Sequence, residues 1–153
     1  MSQQYAFDQL HIDVARNSTD DFNPFHDPLR WDSISGNPFA GPIALGFPLE
    51  FLCSDRIMHH RTKEGSPGEN PPPFRNFEFN FAGALRVGEN FAVDVRKTID
   101  RTGRGGGLSN RVIVRKEDAT PVLIGTQSDT PEPKVNRDRI LDALPSPREL
   151  QDR

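Results

Sequence analysis

Cys53 is the one cysteine in 153 residues, so no internal disulfide can brace this chain, and a cytoplasmic setting is the default. Excess positive charge is missing too. With 19 Lys and Arg against 22 Asp and Glu, a net charge of −3 and a pI near 5.8, the chain lacks the electrostatic footprint of a nucleic-acid binder or of a protein held on an anionic membrane. No apolar run approaches a membrane-spanning length, and the polar start Met1-Ser2-Gln3-Gln4 does not read as a signal peptide. Hydrophobic residues are scarce as well. At 34% of the chain and a mean hydropathy of −0.65 they give a thin core for a single domain of this length. One Trp and one Tyr against eleven Phe leave the large-ring burial to phenylalanine. Part of that apolar surface is free to face a partner chain.

What the chain does have is Asp21-Phe22-Asn23-Pro24-Phe25-His26, a carboxylate, a carboxamide and an imidazole around a proline. Proline fixes its own φ and keeps Asn23 out of the helical region, so the segment reads as a rigid bend. A carboxylate and an imidazole titrate on either side of neutrality, which suits an acid–base pair. Asp and Asn also cap turns. The residues alone therefore leave two readings, a site or a capped loop.

Along the chain, Phe7 to Asn17 reads as a short helix with Leu10, Val14 and His11 on one side, ended by Asn17-Ser18-Thr19-Asp20. Pro28 to Gly41 is irregular. Phe47 to Arg61 is the best helix, with Pro48 in its first turn and apolar residues all around its axis, the pattern of a helix buried on most sides. Arg56, His59, His60, Arg61 and Lys63 gather at its C-terminal end as a solvated cluster that complements the helix dipole. Adjacent histidines on a helix point about 100° apart, so His59 and His60 make a poor metal site, and no metal is expected. Cys53 sits in an apolar run and reads as packing. After a Pro/Gly loop from Gly65 to Pro73, Phe77, Phe79 and Phe81 alternate with Glu78 and Asn80 as a strand with one buried face. Phe91 to Val95 and Ser109 to Arg115 are two further strands, parted by a hairpin loop at Arg104-Gly105-Gly106-Gly107. Val122 to Thr126 is the last. One domain over residues 1–128 is followed by a proline-rich, charged tail, 129–153, in which Arg137 to Leu144 spans two turns of helix. An early helix followed by consecutive antiparallel strands is an α+β pattern.

Asp21-x-Asn23-Pro24-x-His26 resembles the motif of the (R)-specific enoyl-CoA hydratases, the MaoC-like branch of the hot-dog fold. Pro38-Phe39-Ala40-Gly41-Pro42-Ile43-Ala44-Leu45-Gly46-Phe47 is similar to that family's loop into its central helix. Phe77 to Phe81, followed by Leu85-Arg86-Val87-Gly88-Glu89-Asn90, is similar to its first long strand and the turn after it. The resemblance runs from about Ala6 to Ser128, in family order.

The resemblance implies an antiparallel sheet wrapped around a central buried helix, and a homodimer with an acyl-thioester tunnel near the interface. It implies reversible syn hydration of a trans-2-enoyl thioester, carried by CoA or a carrier protein, to the (R)-3-hydroxyacyl thioester, with no cofactor. Asp21 and His26 would activate the water and deliver a proton, with Asn23 fixing the water or its partners. The N–H of Gly46 would hold the oxyanion, and Leu45 and Phe47 would line the substrate site. A catalytically silent acyl-thioester binder and a thioesterase are the competing classes. Turnover of crotonyl-CoA separates a hydratase from a binder, and free thiol reveals a thioesterase. The chain departs from the family in three places. Leu45 stands where the family usually has His, Asp20 replaces a glycine, and the N-terminal region is short, which points to a missing edge strand.

Overall fold

Two helices and an antiparallel sheet make up the computed structural model, which describes residues 3–65, 74–104 and 106–131. Strand β1 (Gln4–Tyr5) precedes helix α1 (Gln9–Thr19), and helix α2 is Gly46–Lys63. The remaining strands are β2 (Phe74–Phe81), β3 (Phe91–Val95), β4 (Ile99–Asp100), β5 (Leu108–Lys116) and β6 (Pro121–Thr130). The sheet order is β1-β3-β5-β6-β2, every pairing is antiparallel, and β4 joins β5 off this path. This is the α+β arrangement expected, a sheet packed on one long helix.

The helix–sheet contact follows from spacing. Leu49, Cys53 and Ile57 recur every fourth residue of α2 and are buried against Phe91, Val112, Val114 and Leu123. Each fully buried side chain of this size contributes about 1.5–3 kcal/mol. Burial pushes the Cys53 thiol up to about 12, and the residue serves as packing. The expectation of a helix covered on most sides does not hold. Only that stripe and Arg61 are buried, while Phe51 is 80% exposed and Phe47 39%. The sheet covers one side of α2, and nothing among the described residues covers the Phe51 side.

The same geometry explains β2. Phe77, Phe79 and Phe81 lie opposite Gln127, Gly125 and Leu123, and the last two of those face the core. Yet β2 is an edge strand, and Phe77 and Phe81 stay about half exposed at 47% and 49%. The alternation was read correctly, and the buried face it implied is only partly buried. Gly125 is required here, because a Cβ would stand 2.2 Å from the Phe79 ring.

Helix α1 begins with a capping box in which Asp8 accepts from the His11 N–H and the His11 ring accepts from the Asp8 N–H. Its buried residues are Ile12, Ala15 and Arg16, while Leu10 and Val14 are exposed. The side with Leu10 and Val14 faces out, because Ile12 and Ala15 anchor the helix on Leu45. The edge strand expected to be missing survives as the two-residue β1.

One boundary and one residue depart from the expectation. The last strand runs to Thr130, so Asp129 and Thr130, assigned to the tail, belong to the sheet. Arg61, expected in a solvated cluster, is 2% exposed. Its three guanidinium nitrogens donate to Asn110 Oδ1 (2.6 Å), Asp129 Oδ2 (2.6 Å) and the Leu108 carbonyl (3.2 Å). The sequence gives no hint that a strand carboxylate waits under the helix end. Most of the Gly65–Pro73 loop, Gly105, and the proposed helix at Arg137 to Leu144 lie outside the described residues.

Candidate active site

Helix α1 ends where the motif begins. Asp20 takes the left-handed conformation at φ 55°, which explains why a glycine suits that position. The Arg16 carbonyl accepts the N–H of Asp21 at 3.0 Å. Asp21 Oδ1 then accepts the Asn23 N–H (3.1 Å), and Asn23 Oδ1 accepts the Phe25 N–H (3.1 Å). Both side chains shape the bend, as Asx turns do. Pro24 opens the 3-10 turn Pro24–His26, where its fixed φ fits and its missing N–H costs nothing.

The bend brings Asp21 Oδ2 within 3.8 Å of His26 Nε2. On the other side of the ring, Nδ1 lies 2.8 Å from the Ile43 carbonyl. A carbonyl only accepts, so Nδ1 bears a proton, and Nε2 is the nitrogen on the Asp21 side. The Ile43 N–H in turn donates to the Phe25 carbonyl at 2.9 Å, and the Ala44 N–H to Leu85 at 2.8 Å. His26 is thereby tied to the chain that enters α2.

His26 forms one wall of a mainly apolar cavity of about 630 Å³ shared with Leu45, Gly46, Phe81, Leu85 and Val122. Gly46 is the first residue of α2, where main-chain N–H groups lack an intrahelical acceptor and the helix dipole favours negative charge. A Cβ at Gly46 would stand 2.8 Å from Phe81 Cζ, so only glycine lets that ring close over the helix start. Such a cavity offers an apolar wall for a chain, N–H groups for an oxyanion, and an imidazole beside a carboxylate.

The expected residues divide. His26, Leu45 and Gly46 share the cavity. Leu45 is also 5% exposed and packed on Ile12 and Ala15. Asp21 does not line the cavity and reaches it only through His26, its side chain 43% exposed, and Asn23 is exposed with its oxygen engaged in the turn. Phe47 does not join them. It points to the outer side of α2, into two surface grooves shared with Phe51, because successive helical residues diverge by about 100°. No group of three or more His, Cys, Asp or Glu able to hold a metal occurs among the described residues.

Sequence reasoning missed Phe81 as a wall, and Arg16 and Asp27 as the frame of the bend. Asp27 Oδ1 accepts the Leu29 N–H at 2.8 Å, and Oδ2 meets Arg30 at 2.8 Å and Arg16 at 3.1 Å. The Leu29 N–H first, then Arg30, hold its carboxyl below the usual aspartate value. Arg30 stands three residues on, a spacing that could have been noticed. Arg16 carries no such signal.

No protein-family model matches the chain, and no curated protein matches it. Solved structures do. The (R)-hydratase of A. caviae involved in PHA biosynthesis is 17% identical, with 85% of this chain and 92% of that chain covered at a TM-score of 0.61. A monoamine oxidase regulatory protein from Archaeoglobus is 16% identical, with 84% of each chain covered and a TM-score of 0.62. The HadBC (3R)-hydroxyacyl-ACP dehydratase complex of Mycobacterium tuberculosis is 10% identical, with 83% and 89% covered and a TM-score of 0.62. The likeness is one of fold. The chain has the hot-dog fold shared by MaoC-like hydratases and dehydratases.

Proposed function

We propose that this chain is a hydro-lyase that adds water reversibly to trans-2-enoyl thioesters of CoA or a carrier protein. The observation that carries the reading is His26, held by Ile43, with Nε2 3.8 Å from Asp21 Oδ2, lining an apolar cavity together with Gly46. Water is too weak a nucleophile to add to the β-carbon unaided, so a base must take its proton as it attacks. A water placed between Nε2 and Oδ2, which are 3.8 Å apart, touches both groups. One of them accepts its proton, and the α-carbon receives a proton on the same face. Charge developing on the thioester oxygen is met by the Gly46 N–H. Asn23 then acts by holding the turn. The apolar walls, Leu45 and Phe81 among them, take the acyl chain.

The working form is a homodimer. Edge strand β2 carries the half-exposed Phe74, Phe77 and Phe81, and Phe47 and Phe51 of α2 stand beside Phe77 around one groove. An open strand edge next to exposed rings is a surface that proteins ordinarily cover. A second copy paired along β2 covers it. No helix of the described residues is long and apolar enough to cross a membrane, and the single buried cysteine fits a cytoplasmic protein.

Leu45 favours a second reading, an acyl-thioester binder without turnover, because it replaces an expected imidazole with an apolar side chain. Hydration of crotonyl-CoA by the full chain, followed over a panel of acyl lengths, decides between them. Turnover supports the hydro-lyase. Saturable binding without turnover supports the binder and overturns the enzyme.

A further inference from the structure

One residue outside the motif holds the motif at both ends. The Arg16 carbonyl accepts the Asp21 N–H at 3.0 Å, and the same carbonyl caps α1 through the Asp20 N–H. Seven residues of chain later, Arg16 Nη2 donates to Asp27 Oδ2 at 3.1 Å. Between these anchors the guanidinium lies over the Phe22 ring, 5.8 Å from its centroid. Arg16 also meets Asp13 Oδ1 at 3.3 Å, and Arg30 closes the frame by donating to Asp27 Oδ2 at 2.8 Å and to the Phe22 carbonyl at 3.0 Å. The Arg16 and Asp27 side chains are only 10% and 14% exposed. Arg30 and the Leu29 N–H hold Asp27 from its own turn, and Arg16 is the partner that ties it back to α1.

We propose that Arg16 is a positioning residue for the reaction. By gripping Asp21 through its main chain and Asp27 through its side chain, it fixes the span between Asp21 and His26. This rests on the function proposed above. Proton transfer demands tight placement, and a displacement on the order of 1 Å costs up to about 10²-fold in rate. Asp27 adjoins His26, so cutting its tie to α1 lets the His26 end of the bend shift relative to Asp21, which stays tied to α1 by its main chain. The residue contributes no atom to the chemistry.

The test uses the full chain with crotonyl-CoA. Arg16→Met keeps the aliphatic stem and removes the fork. It should lower kcat by about 10–100-fold with KM changed less than about twofold. Arg16→Lys, which retains one charged contact, should recover part of the loss. In an Asp21→Asn background the further loss from Arg16→Met should be under about twofold, since no pair remains to be aligned. A folded Arg16→Met enzyme with kcat within twofold of the original, or losses that simply multiply, would overturn the proposal. Should Arg16→Met fail to fold, Asp27→Asn opens the same clamp from its other end and is expected to show the same fall in kcat. If the unaltered chain turns over no crotonyl-CoA, the functional reading falls by itself. The clamp is then judged by the His26 imidazole proton resonances, assigned with His26→Gln. They should move alike in Arg16→Lys and Asp27→Asn, and unmoved resonances would reject it.

Discussion

The two ends of α2 solve opposite problems with the same helix. At its start, Leu45, Gly46 and the Phe81 ring leave an apolar cavity lined by His26, whose Nε2 lies 3.8 Å from the half-exposed Asp21. At its close, Arg61 is sealed beneath the sheet with Asp129 and Asn110, each of its nitrogens satisfied. Polar groups at the first end keep contact with water and are free to act. Those at the second are locked and serve the fold. Asn110 extends the lock by donating to the Arg96 carbonyl and to Thr98, so the helix end is tied to both β5 and the segment after β3. A titratable group beside an open wall is available for chemistry, whereas one tied to a buried guanidinium, as Asp129 is through Oδ2, is not.

The largest expected effect breaks the closed end. Arg61→Ala leaves the Asp129 carboxyl buried with only Arg75, at 3.8 Å, as a basic neighbour, and should cost about 3 kcal/mol of stability. Replacing both partners, Arg61→Met with Asp129→Leu, should restore much of that, because no unpaired charge remains. Chemical denaturation of the two variants provides the comparison. Equal losses in single and double variants would mean that packing, and not the charge, is what the cluster supplies. Hydration by the double variant, assayed well below its melting point, should stay within a few-fold of the unaltered chain.

Breaking the open end should do the reverse. Asp21→Asn and His26→Ala are each expected to lower hydration about 10²-fold or more while leaving the melting temperature nearly unchanged. The pair acts as a unit, so the double variant should be little slower than the slower single one. Full activity in either single variant would remove the pair from the mechanism. The contrast between the ends would then be one of solvent exposure alone.

Leu45 stands where the two characters meet. As a residue at a helix start lining a pocket it would accept His freely, with altered rate or chain-length preference and little change in melting temperature. The structure revises that expectation. Leu45 lines the cavity but is 5% exposed and packed on Ile12 and Ala15. Leu45→His should therefore cost about 1–3 kcal/mol, the range for placing a polar group among apolar neighbours. A thermal melt unchanged by this substitution would show that the imidazole escapes into the cavity, and that the α1 contact is looser than the geometry indicates.

How much of this was legible follows the same division. The bend at Asp21 to His26 was readable because proline and Asx chemistry act over a few residues, and the helix and strands were readable from local period. Burial of Arg61 was not, since its partner lies 68 residues away in sequence and a basic residue at a helix end has a sufficient local explanation in the dipole. The exposure of Phe77 and Phe81 was hidden for a related reason. Alternation tells which face a side chain takes, while sheet order decides whether anything covers that face, and β2 ends up at the edge. Arg16 and Phe47 failed in opposite directions. The first looked like an ordinary helical arginine and frames the motif, and the second was placed in the substrate site because its neighbours are there, although one helical step turns it outward.

The smallest effect sharpens the comparison at the seam between α1 and the motif. Asp20 is held at φ 55°, where a side chain with a Cβ is strained and glycine is not. Asp20→Gly should raise stability by about 0.5–1 kcal/mol, the relief of left-handed strain less the extra chain entropy of glycine. The Asp21 N–H remains bound to the Arg16 carbonyl in either case, so the hydration rate should change by less than about twofold, well short of one decade in rate at 1.4 kcal/mol. If stability rises and the rate holds, the strain belongs to the helix cap. If the rate falls several-fold while stability rises, the Asp20 carboxylate acts on the neighbouring Asp21, and the open end of α2 depends on two carboxylates where the geometry assigns one.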